Sequence, residues 1–355
     1  MTLPFFPITG ELREDEEMEL PPGVQAGFDS PTGYRADPGL AAALHVALLL
    51  GQPLLITGEP GTGKTLFARA VAHQLNLGEP YEVRVKSTTT GSQLFYHFDD
   101  LALFRDSQPR RTPQPLVNYL HCHGLGEAII RAAGPHAPLL NLQDIPLAPT
   151  DRSVPDAFGH ERALEPLTCA DLLPGIKSLD RPPVVLIDEL DKAPRDTPND
   201  LLREIEDLSF DIPELRVRVR VPKESQRHRP IVIITSNSEK SLPEAFLRRC
   251  TYYHIEFPTG KALADIVESR IPALADNRAR VAELLELFQI LRERFQKKPG
   301  TSELLCWMQL LSAQSKPTES LRKRQDLLLS NLTALAKVEE DQKAGHEEIR
   351  RWCAT

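Results

Sequence analysis

Two kinds of hydrophobic pattern alternate along the chain up to residue 258. Short unbroken runs of aliphatic residues are typical of strands buried on both faces, and between them apolar residues recur at helical spacing. This alternation predicts an α/β fold in which a parallel sheet lies between helices. The predicted strands cover residues 53–57, 81–85, 184–187, 231–235 and 252–257.

After residue 258 only the helical repeat remains. Apolar residues in the run 277–295 fall on one stripe, as in a helix that buries one face. This region therefore predicts a smaller, all-helical domain. Its predicted helices cover residues 262–271, 277–295, 302–312 and 319–352.

Changes in composition divide the chain into three predicted regions. Residues 1–30 mix proline, glycine and acidic residues, which predicts an extended segment. An α/β nucleotide-binding domain follows over 31–258, and a helical lid domain over 259–355. Within the α/β domain, a proline-rich stretch at about 105–180 is too long for a plain connection, so we predict an insertion there.

The segment 210–221 contains strictly alternating residues and predicts a hairpin or an edge strand. Arg216, Arg218 and Arg220 would share one face of it. One interpretation is a basic finger for a nucleic acid or an acidic substrate. We favour a solvated strand face, because arginines also discourage pairing at an exposed strand edge.

A phosphate-binding motif follows the first predicted strand. Residues 58–65 read GEPGTGKT and fit the P-loop pattern G-x-x-x-x-G-K-[ST] without a mismatch. A chance glycine-rich turn is the alternative, but the strand before the motif and the helix after it favour a P-loop, whose backbone N–H groups attract phosphate. Lys64 would reach the β- and γ-phosphates, and Thr65 would bind Mg²⁺. The predicted nucleotide-binding residues are Gly58, Glu59, Pro60, Gly61, Thr62, Gly63, Lys64, Thr65 and Leu66.

Two acidic residues, Asp188 and Glu189, come directly after the predicted strand 184–187. The carboxyl ends of parallel strands line the ligand crevice in folds of this class. An acidic pair can also simply end a strand, but here a P-loop lies upstream. We therefore assign Asp188 to the Mg²⁺ shell and Glu189 to the general base that activates water.

Polar residues also follow the next predicted strand. Asn237 can orient the attacking water beside Glu189, although asparagine is also a common turn residue. Arg248 and Arg249 end a short predicted helix, where they are either ordinary surface charge or groups that reach the γ-phosphate of a neighbouring subunit. Tyr34 lies ahead of the P-loop strand and is a candidate for base contact or for packing.

Composition limits the classes of function. A net charge of −8 does not indicate a generally basic nucleic-acid binder, and no apolar run has the length of a membrane span. The N-terminus lacks the features of a signal peptide. Five scattered cysteines without a C-x-x-C pair fit reduced thiols, so we expect a cytoplasmic protein. The adjacent residues His121, Cys122 and His123 are weak evidence for a metal site.

Taken in order, the motifs resemble those of AAA+ ATPases, and specifically of the MoxR family. The resemblance is carried by GEPGTGKT at 58–65, VLIDELDKAP at 185–194 and IVIITSNSEKSLPEAFLRRC at 231–250. It implies that Asp188 and Glu189 form the Walker B pair and that Asn237 is sensor 1. Arg249, or else Arg248, matches the place of the arginine finger.

The resemblance also implies an architecture. It is an AAA+ P-loop NTPase core with a helix-2 insertion, a hairpin before sensor 1 and a C-terminal helical lid. Residues at about 90–135 and 210–230 would supply the insertion and the hairpin. The segment KKPGTSELLCW from Lys297 has no arginine, so we assign no sensor 2 residue. The family typically assembles as a ring, often a hexamer, and its members are similar to chaperones that act on proteins with a von Willebrand A domain or a metal centre.

The predicted function is Mg²⁺-dependent ATP hydrolysis that drives conformational remodelling of a partner protein, with ATP and Mg²⁺ as cofactors. One alternative is a nucleic-acid-coupled NTPase motor that uses Arg110, Arg111 and the arginine strand, against which the acidic net charge counts. Another is a nucleotide-gated scaffold in a defence or signalling assembly, in which hydrolysis is only a slow timer.

Overall fold

The computed structural model of the protein describes residues 28–108, 114–147, 167–238, 240–316 and 319–354. The predicted extended segment falls outside these ranges up to residue 27, as do Arg110, Arg111 and residues 148–166 of the predicted insertion.

The chain divides into two compact units. We call the first the sheet unit; it comprises Ala36–Gly58 and Phe67–Ile255. The second, the helical unit, comprises Met1–Arg35, Glu59–Leu66 and Glu256–Thr355, so it includes most of the P-loop. The domain boundaries that we place at residues 30 and 258 stay predictions.

Strands and helices are interspersed between residues 38 and 255. In chain order they are α1 (Pro38–Leu50), β1 (Leu54–Gly58), α2 (Lys64–Gln74), β2 (Tyr81–Arg84), β3 (Tyr96–Phe98), α3 (Asp100–Asp106), β4 (Leu120–Cys122), α4 (Gly124–Ala133), α5 (Cys169–Leu172), β5 (Val184–Asp188), α6 (Thr197–Asp207), β6 (Ser209–Ile212), β7 (Val217–Arg220), β8 (Ile231–Ser236), α7 (Glu244–Leu247) and β9 (Thr251–Ile255).

A five-stranded sheet organises the sheet unit. Its strands lie in the order β2-β5-β8-β1-β9, and every neighbouring pair is parallel. Every residue of β1, β5 and β8 is buried, which explains why these strands read as unbroken aliphatic runs in the sequence. The predicted α/β fold with a parallel sheet is confirmed.

The register of the sheet brings three strand ends to one edge. Ile187 of β5 lies opposite Ile234 of β8, and Ser236 of β8 lies opposite Thr57 of β1. The carboxyl ends of these three adjacent strands are therefore level. From the end of β1, at Gly58, the chain continues directly into the P-loop.

The strands β6 and β7 form the predicted antiparallel hairpin, but the predicted three-arginine face is wrong. Arg216 lies in the turn with a φ of +57°, so only Arg218 and Arg220 lie on β7. Arg218 pairs with Asp211 at 2.6 Å and with Asp144 at 2.8 Å, and Arg220 lies 3.2 Å from Asp144. Acidic side chains thus neutralise the remaining basic face.

The helical unit contains α8 (Gly260–Arg270), α9 (Arg278–Arg294), α10 (Thr301–Gln314), α11 (Gln325–Ser330) and α12 (Glu339–Ala354). Asn277 caps α9 by accepting a hydrogen bond from the backbone N–H of Arg280 at 3.1 Å. No helix in the described part of the chain is long and apolar enough to cross a membrane. The predicted stripe of α9 is buried; its residues are Val281, Leu284, Leu285, Leu287, Phe288 and Leu291.

The predicted continuous helix over 319–352 is wrong. A 3-10 turn at Leu332–Ala334 separates α11 from α12. A Cβ atom on Gly345 would lie 2.8 Å from the side chain of Leu332, so α12 packs closely against this turn. On one straight helix these two residues would be about 20 Å apart. The chain folds back because the contact buries Leu332, which the helical repeat alone does not reveal.

Candidate nucleotide-binding site

Three glycines shape the backbone of the P-loop. Gly58, Gly61 and Gly63 have φ angles of +149°, +76° and +86°, which L-residues rarely adopt. Space is tight as well: a Cβ atom would lie 3.0 Å from Ser302 Oγ if placed on Gly61, and 3.2 Å from the Tyr34 ring if placed on Gly63. The path of the loop and its packing therefore both require glycine at positions 61 and 63.

The side chain of Lys64 is folded back onto the loop. This residue is only 6% exposed, and its Nζ donates a hydrogen bond to the carbonyl oxygen of Glu59 at 2.9 Å. Thr62 Oγ1 donates to the same carbonyl at 2.8 Å. A buried ammonium group inside a tight backbone turn makes this loop suited to an anion.

The start of α2 supplies the remaining groups of an anion site. The first backbone N–H groups of a helix point along its axis and carry the positive end of the helix dipole. Thr65, in the first turn, is half-buried. These groups fit a triphosphate with Mg²⁺, which binds few protein oxygens and completes its shell with phosphate and water. Within the described ranges, no cluster of three or more His, Cys, Asp or Glu side chains could hold a metal ion.

Tyr34 is half-buried, and its ring packs against Gly63. Burial raises the pKa of this phenol, with an opposing effect from Arg270, so the ring stays neutral. Of the two predicted roles for Tyr34, the contacts describe packing against the P-loop.

The two predicted acidic residues lie at the end of β5 and share one partner. Asp188 is buried, and its Oδ1 accepts a hydrogen bond from Thr235 Oγ1 at 2.6 Å. The same hydroxyl oxygen accepts from the backbone N–H of Glu189 at 2.9 Å. Glu189 has a φ of +59°, which is unfavourable for a residue other than glycine and is common at functional sites. Thr235 on β8 thus helps to fix both acids.

The carboxylate of Glu189 contacts Asn237 directly. Its Oε1 accepts a hydrogen bond from Asn237 Nδ2 at 3.0 Å, and its Oε2 lies 2.5 Å from Lys192 Nζ. The backbone N–H of Asn237 donates to Oδ1 of the buried Asp191 at 3.2 Å. A carboxylate and an amide held together at adjacent strand ends can bind and orient a water molecule.

Sequence reasoning missed Asp191 and Lys192. Both lie within the motif VLIDELDKAP, two and three residues after Glu189. The chain forms a 3-10 turn over Leu190–Lys192, and this turn brings the Lys192 side chain back to Glu189. The only available signal was that local spacing, which does not by itself assign a partner.

The two candidate finger arginines lie on the surface of the sheet unit after α7. Arg248 pairs with Glu244 at 2.5 Å, and both of these side chains are 77% exposed. Arg249 pairs with Glu206 of α6 at 2.9 Å, and its side chain is 48% exposed. Their exposure leaves both residues accessible to a neighbouring molecule.

Comparison with known proteins identifies the family. A family model for the AAA domain of the dynein-related subfamily matches residues 53–250, which is more than half of the chain. The chain belongs to this AAA family. The matched region contains the P-loop, the acidic pair, Asn237 and both candidate finger arginines. This AAA protein is accordingly a P-loop NTPase that hydrolyses ATP, and its family generally uses nucleotide with Mg²⁺ and commonly forms oligomeric rings.

No curated protein matches the sequence of this AAA ATPase. Among solved structures, a RuvB variant from Thermotoga maritima is 15% identical in sequence, with a TM-score of 0.38. That alignment covers 87% of this chain and 66% of the RuvB chain. The family assignment depends on the family model.

Proposed function

We propose that this AAA ATPase hydrolyses ATP where the P-loop meets the acidic edge of the sheet. One observation carries the proposal: β5, β8 and β1 are adjacent parallel strands whose carboxyl ends are level. Asp188 ends β5, Asn237 follows β8, and the P-loop continues from Gly58 at the end of β1. Ligands of open parallel sheets bind at this edge.

Each residue has a proposed role in the reaction. The backbone of residues 58–66 and the ammonium group of Lys64 bind the phosphates. Thr65 and Asp188 hold magnesium, which supplies positive charge at the phosphoryl oxygens when it is bound. Glu189 accepts the proton of the attacking water, and Asn237, 3.0 Å from Glu189, orients that water.

Titration with a fluorescent ATP analogue, together with phosphate release, tests these roles. Lys64→Ala should weaken binding about 10- to 100-fold, because a buried charged hydrogen-bond donor is lost. Glu189→Gln should keep binding and reduce turnover by about 10² to 10⁴. The matched control is Lys261→Ala, which removes an exposed lysine at the start of α8. Unchanged binding in Lys64→Ala, or normal turnover in Glu189→Gln, would contradict the proposal.

The proposed site is completed by a neighbouring subunit in a ring, which we expect to be a hexamer. Arg249, with Arg248 as the alternative, would reach the γ-phosphate held by the next subunit. Two observations support this: both arginines are exposed, and AAA proteins commonly form rings. A guanidinium supplied in this way accelerates phosphoryl transfer by about 10³ to 10⁵.

The proposed output is remodelling of a partner protein, as in the MoxR family, whose motifs the chain resembles at 58–65, 185–194 and 231–250. A partner with a von Willebrand A domain is the expected class. The five free cysteines suit a reducing compartment, so we propose the cytoplasm as the location of this AAA ATPase.

Capture of binding proteins on the Glu189→Gln variant tests the proposed partner. A von Willebrand A protein that is retained with ATP and released with ADP supports the proposal. Turnover that is stimulated by DNA or RNA and depends steeply on salt would contradict this proposal and support a nucleic-acid-coupled motor instead.

A further inference from the structure

Arg292, in the last turn of α9, makes three fixed contacts within the helical unit. Its guanidinium forms an ion pair with the carboxylate of Glu59 in the P-loop. It also donates a hydrogen bond to the carbonyl oxygen of Pro299 at 2.7 Å and lies 3.7 Å from the centre of the Phe257 ring. The Arg292 side chain is only 12% exposed, so this arrangement is packed rather than a loose surface pair.

Glu59 connects Arg292 to the P-loop lysine. The carboxylate of Glu59 binds Arg292, while its carbonyl oxygen accepts the hydrogen bond from Lys64 Nζ at 2.9 Å. One residue therefore contacts both the cation expected to bind phosphate and a cation on a helix of the same unit. A change in the position of Lys64 or of the loop backbone would therefore alter both the hydrogen bond from Lys64 to Glu59 and the ion pair between Glu59 and Arg292.

The turn after α9 is pressed against the same loop. A Cβ atom on Gly300 would lie 2.7 Å from the carbonyl oxygen of Pro60, and one on Gly61 would lie 3.3 Å from the Cα of Gly300. These approaches place the backbone of the P-loop close against the turn that joins α9 to α10. Arg292 also connects the turn to the P-loop, because it donates a hydrogen bond to Pro299 in the turn and forms an ion pair with Glu59 in the loop.

Arg292 pairs with a carboxylate that lies in the P-loop itself. A carboxylate inside the P-loop repels the phosphates of a nucleotide, and the Glu59 side chain is 48% exposed. The Arg292 guanidinium compensates that charge. Its planar group also stacks on the Phe257 ring and donates a hydrogen bond to the Pro299 carbonyl, and these two contacts fix its orientation. A lysine would supply the charge without that geometry.

We propose that Arg292 is a positioning residue of the ATP site. It neutralises Glu59 beside the bound phosphates and transmits phosphate occupancy to the turn between α9 and α10. The inference rests on the proposed function, since it requires that the P-loop binds the triphosphate. It adds a residue from the helical unit that no P-loop, Walker B or sensor motif contains.

Affinity measurements on the full chain test the charge role. Arg292→Ala should weaken Mg²⁺-ATP binding about tenfold, and ADP binding less because ADP carries less negative charge. Adding Glu59→Gln to that variant should restore ATP affinity to within about twofold of the original, since the repelling charge is gone. The matched control is Arg294→Ala: Arg294 lies in the same turn, pairs with Glu348 at 3.2 Å and is 62% exposed.

Hydrogen exchange of residues 297–305 tests the transmission role. ATP should protect these backbone amides in the original protein and in Arg294→Ala. The protection should be lost in Arg292→Ala and stay lost in the double variant, although that variant binds ATP well. Arg292→Lys should keep most of the affinity and lose most of the protection. If Arg292→Ala does not fold, Arg292→Lys with and without Glu59→Gln gives the same comparison.

The outcomes separate this inference from the proposed function. ATP affinity in Arg292→Ala equal to that in Arg294→Ala would overturn the charge role of Arg292. So would a double variant that is not rescued, because the effect would then be structural. Protection of residues 297–305 that survives in Arg292→Ala would overturn the transmission role. An original protein that binds no nucleotide would instead refute the proposed function, and this inference with it.

Discussion

At the scale of single residues, the candidate catalytic groups are held by a small hydrogen-bonded network. Thr235 Oγ1 donates to Asp188 and accepts from the backbone N–H of Glu189, which is held at a positive φ. Asn237 bonds to Glu189 through its side chain and to Asp191 through its backbone. Substitutions in this network should therefore separate binding of ATP from its hydrolysis.

Asn237→Ala should lower turnover about 10²-fold while leaving ATP affinity nearly unchanged. The physical reason is that the amide orients the attacking water and, in our proposal, does not bind the nucleotide itself. Phosphate release at saturating Mg²⁺-ATP measures the effect. Asn118→Ala, which removes an exposed amide elsewhere in the sheet unit, is the control and should keep full turnover. A variant with normal turnover would show that Asn237 is only a turn residue.

Thr235→Val should impair both stability and turnover. The substitution keeps the shape of the side chain but removes the hydroxyl that bridges Asp188 and Glu189, and an unpaired buried polar group costs about 1–3 kcal/mol. Urea unfolding and phosphate release measure the two effects. Thr251→Val on β9 is the matched control, because its hydroxyl makes only one long hydrogen bond, 3.5 Å from Gln52. Equal effects of the two substitutions would contradict the bridging role.

At the scale of elements, the sequence predicted the parts that depend on local pattern. β1, β5 and β8 are buried throughout, so their aliphatic runs marked them within one residue at each end. The P-loop was predictable because its glycines have a backbone requirement that the residue type itself reveals. The order of the strands, β2-β5-β8-β1-β9, is a tertiary property that no local pattern reveals.

What escaped prediction depends on contacts between residues distant in sequence. The chain folds back at Leu332 because that side chain packs against Gly345, although the helical repeat runs through both. Arg292 contacts Glu59, 233 positions away in the sequence, and no spacing rule connects them. Arg216 is a local exception. It leaves the arginine face because it lies in the turn between β6 and β7 and not on β7 itself.

Arg218→Ala should destabilise the β6–β7 hairpin. Its side chain is 17% exposed and binds Asp211 and Asp144 together, so both carboxylates lose this ion pair, although Asp144 keeps its pair with Arg220. We expect the melting temperature to fall by about 2–4 °C, measured by calorimetry. Arg216→Ala is the control, since Arg216 is exposed in the turn, and should leave melting unchanged. Equal melting temperatures for the two variants would mean that the acidic pairs contribute nothing.

At the scale of the whole molecule, membership of the AAA family connects the site to assembly. We propose that ATP hydrolysis depends on neighbouring subunits as well as on the chain that binds the nucleotide. The exposed Arg249 and Arg248 are the groups through which we propose that dependence. Mixing two inactive variants distinguishes action between subunits from action within one.

Lys64→Ala should bind nucleotide weakly but keeps Arg249, whereas Arg249→Ala should bind nucleotide but lacks the finger. Mixed rings should therefore recover turnover, at about one quarter of the sites if subunits mix at random around a head-to-tail ring. Phosphate release from an equimolar mixture measures the recovery. Arg203→Ala, which removes an arginine that is 82% exposed on α6, should stay fully active alone. No recovery in the mixture, or normal turnover in Arg249→Ala alone, would contradict action in trans.

The central claim is that the P-loop and the acidic edge of the sheet act on one triphosphate. A structure of the Glu189→Gln variant with Mg²⁺ and ATP, at a resolution that places the phosphates and the metal, tests it most directly. The account predicts one nucleotide whose phosphates contact Lys64, with Thr65 and Asp188 in the metal shell and the side chains at 189 and 237 facing the γ-phosphate. A triphosphate held by the P-loop with Asp188 and position 189 beyond the reach of a bridging water would contradict it.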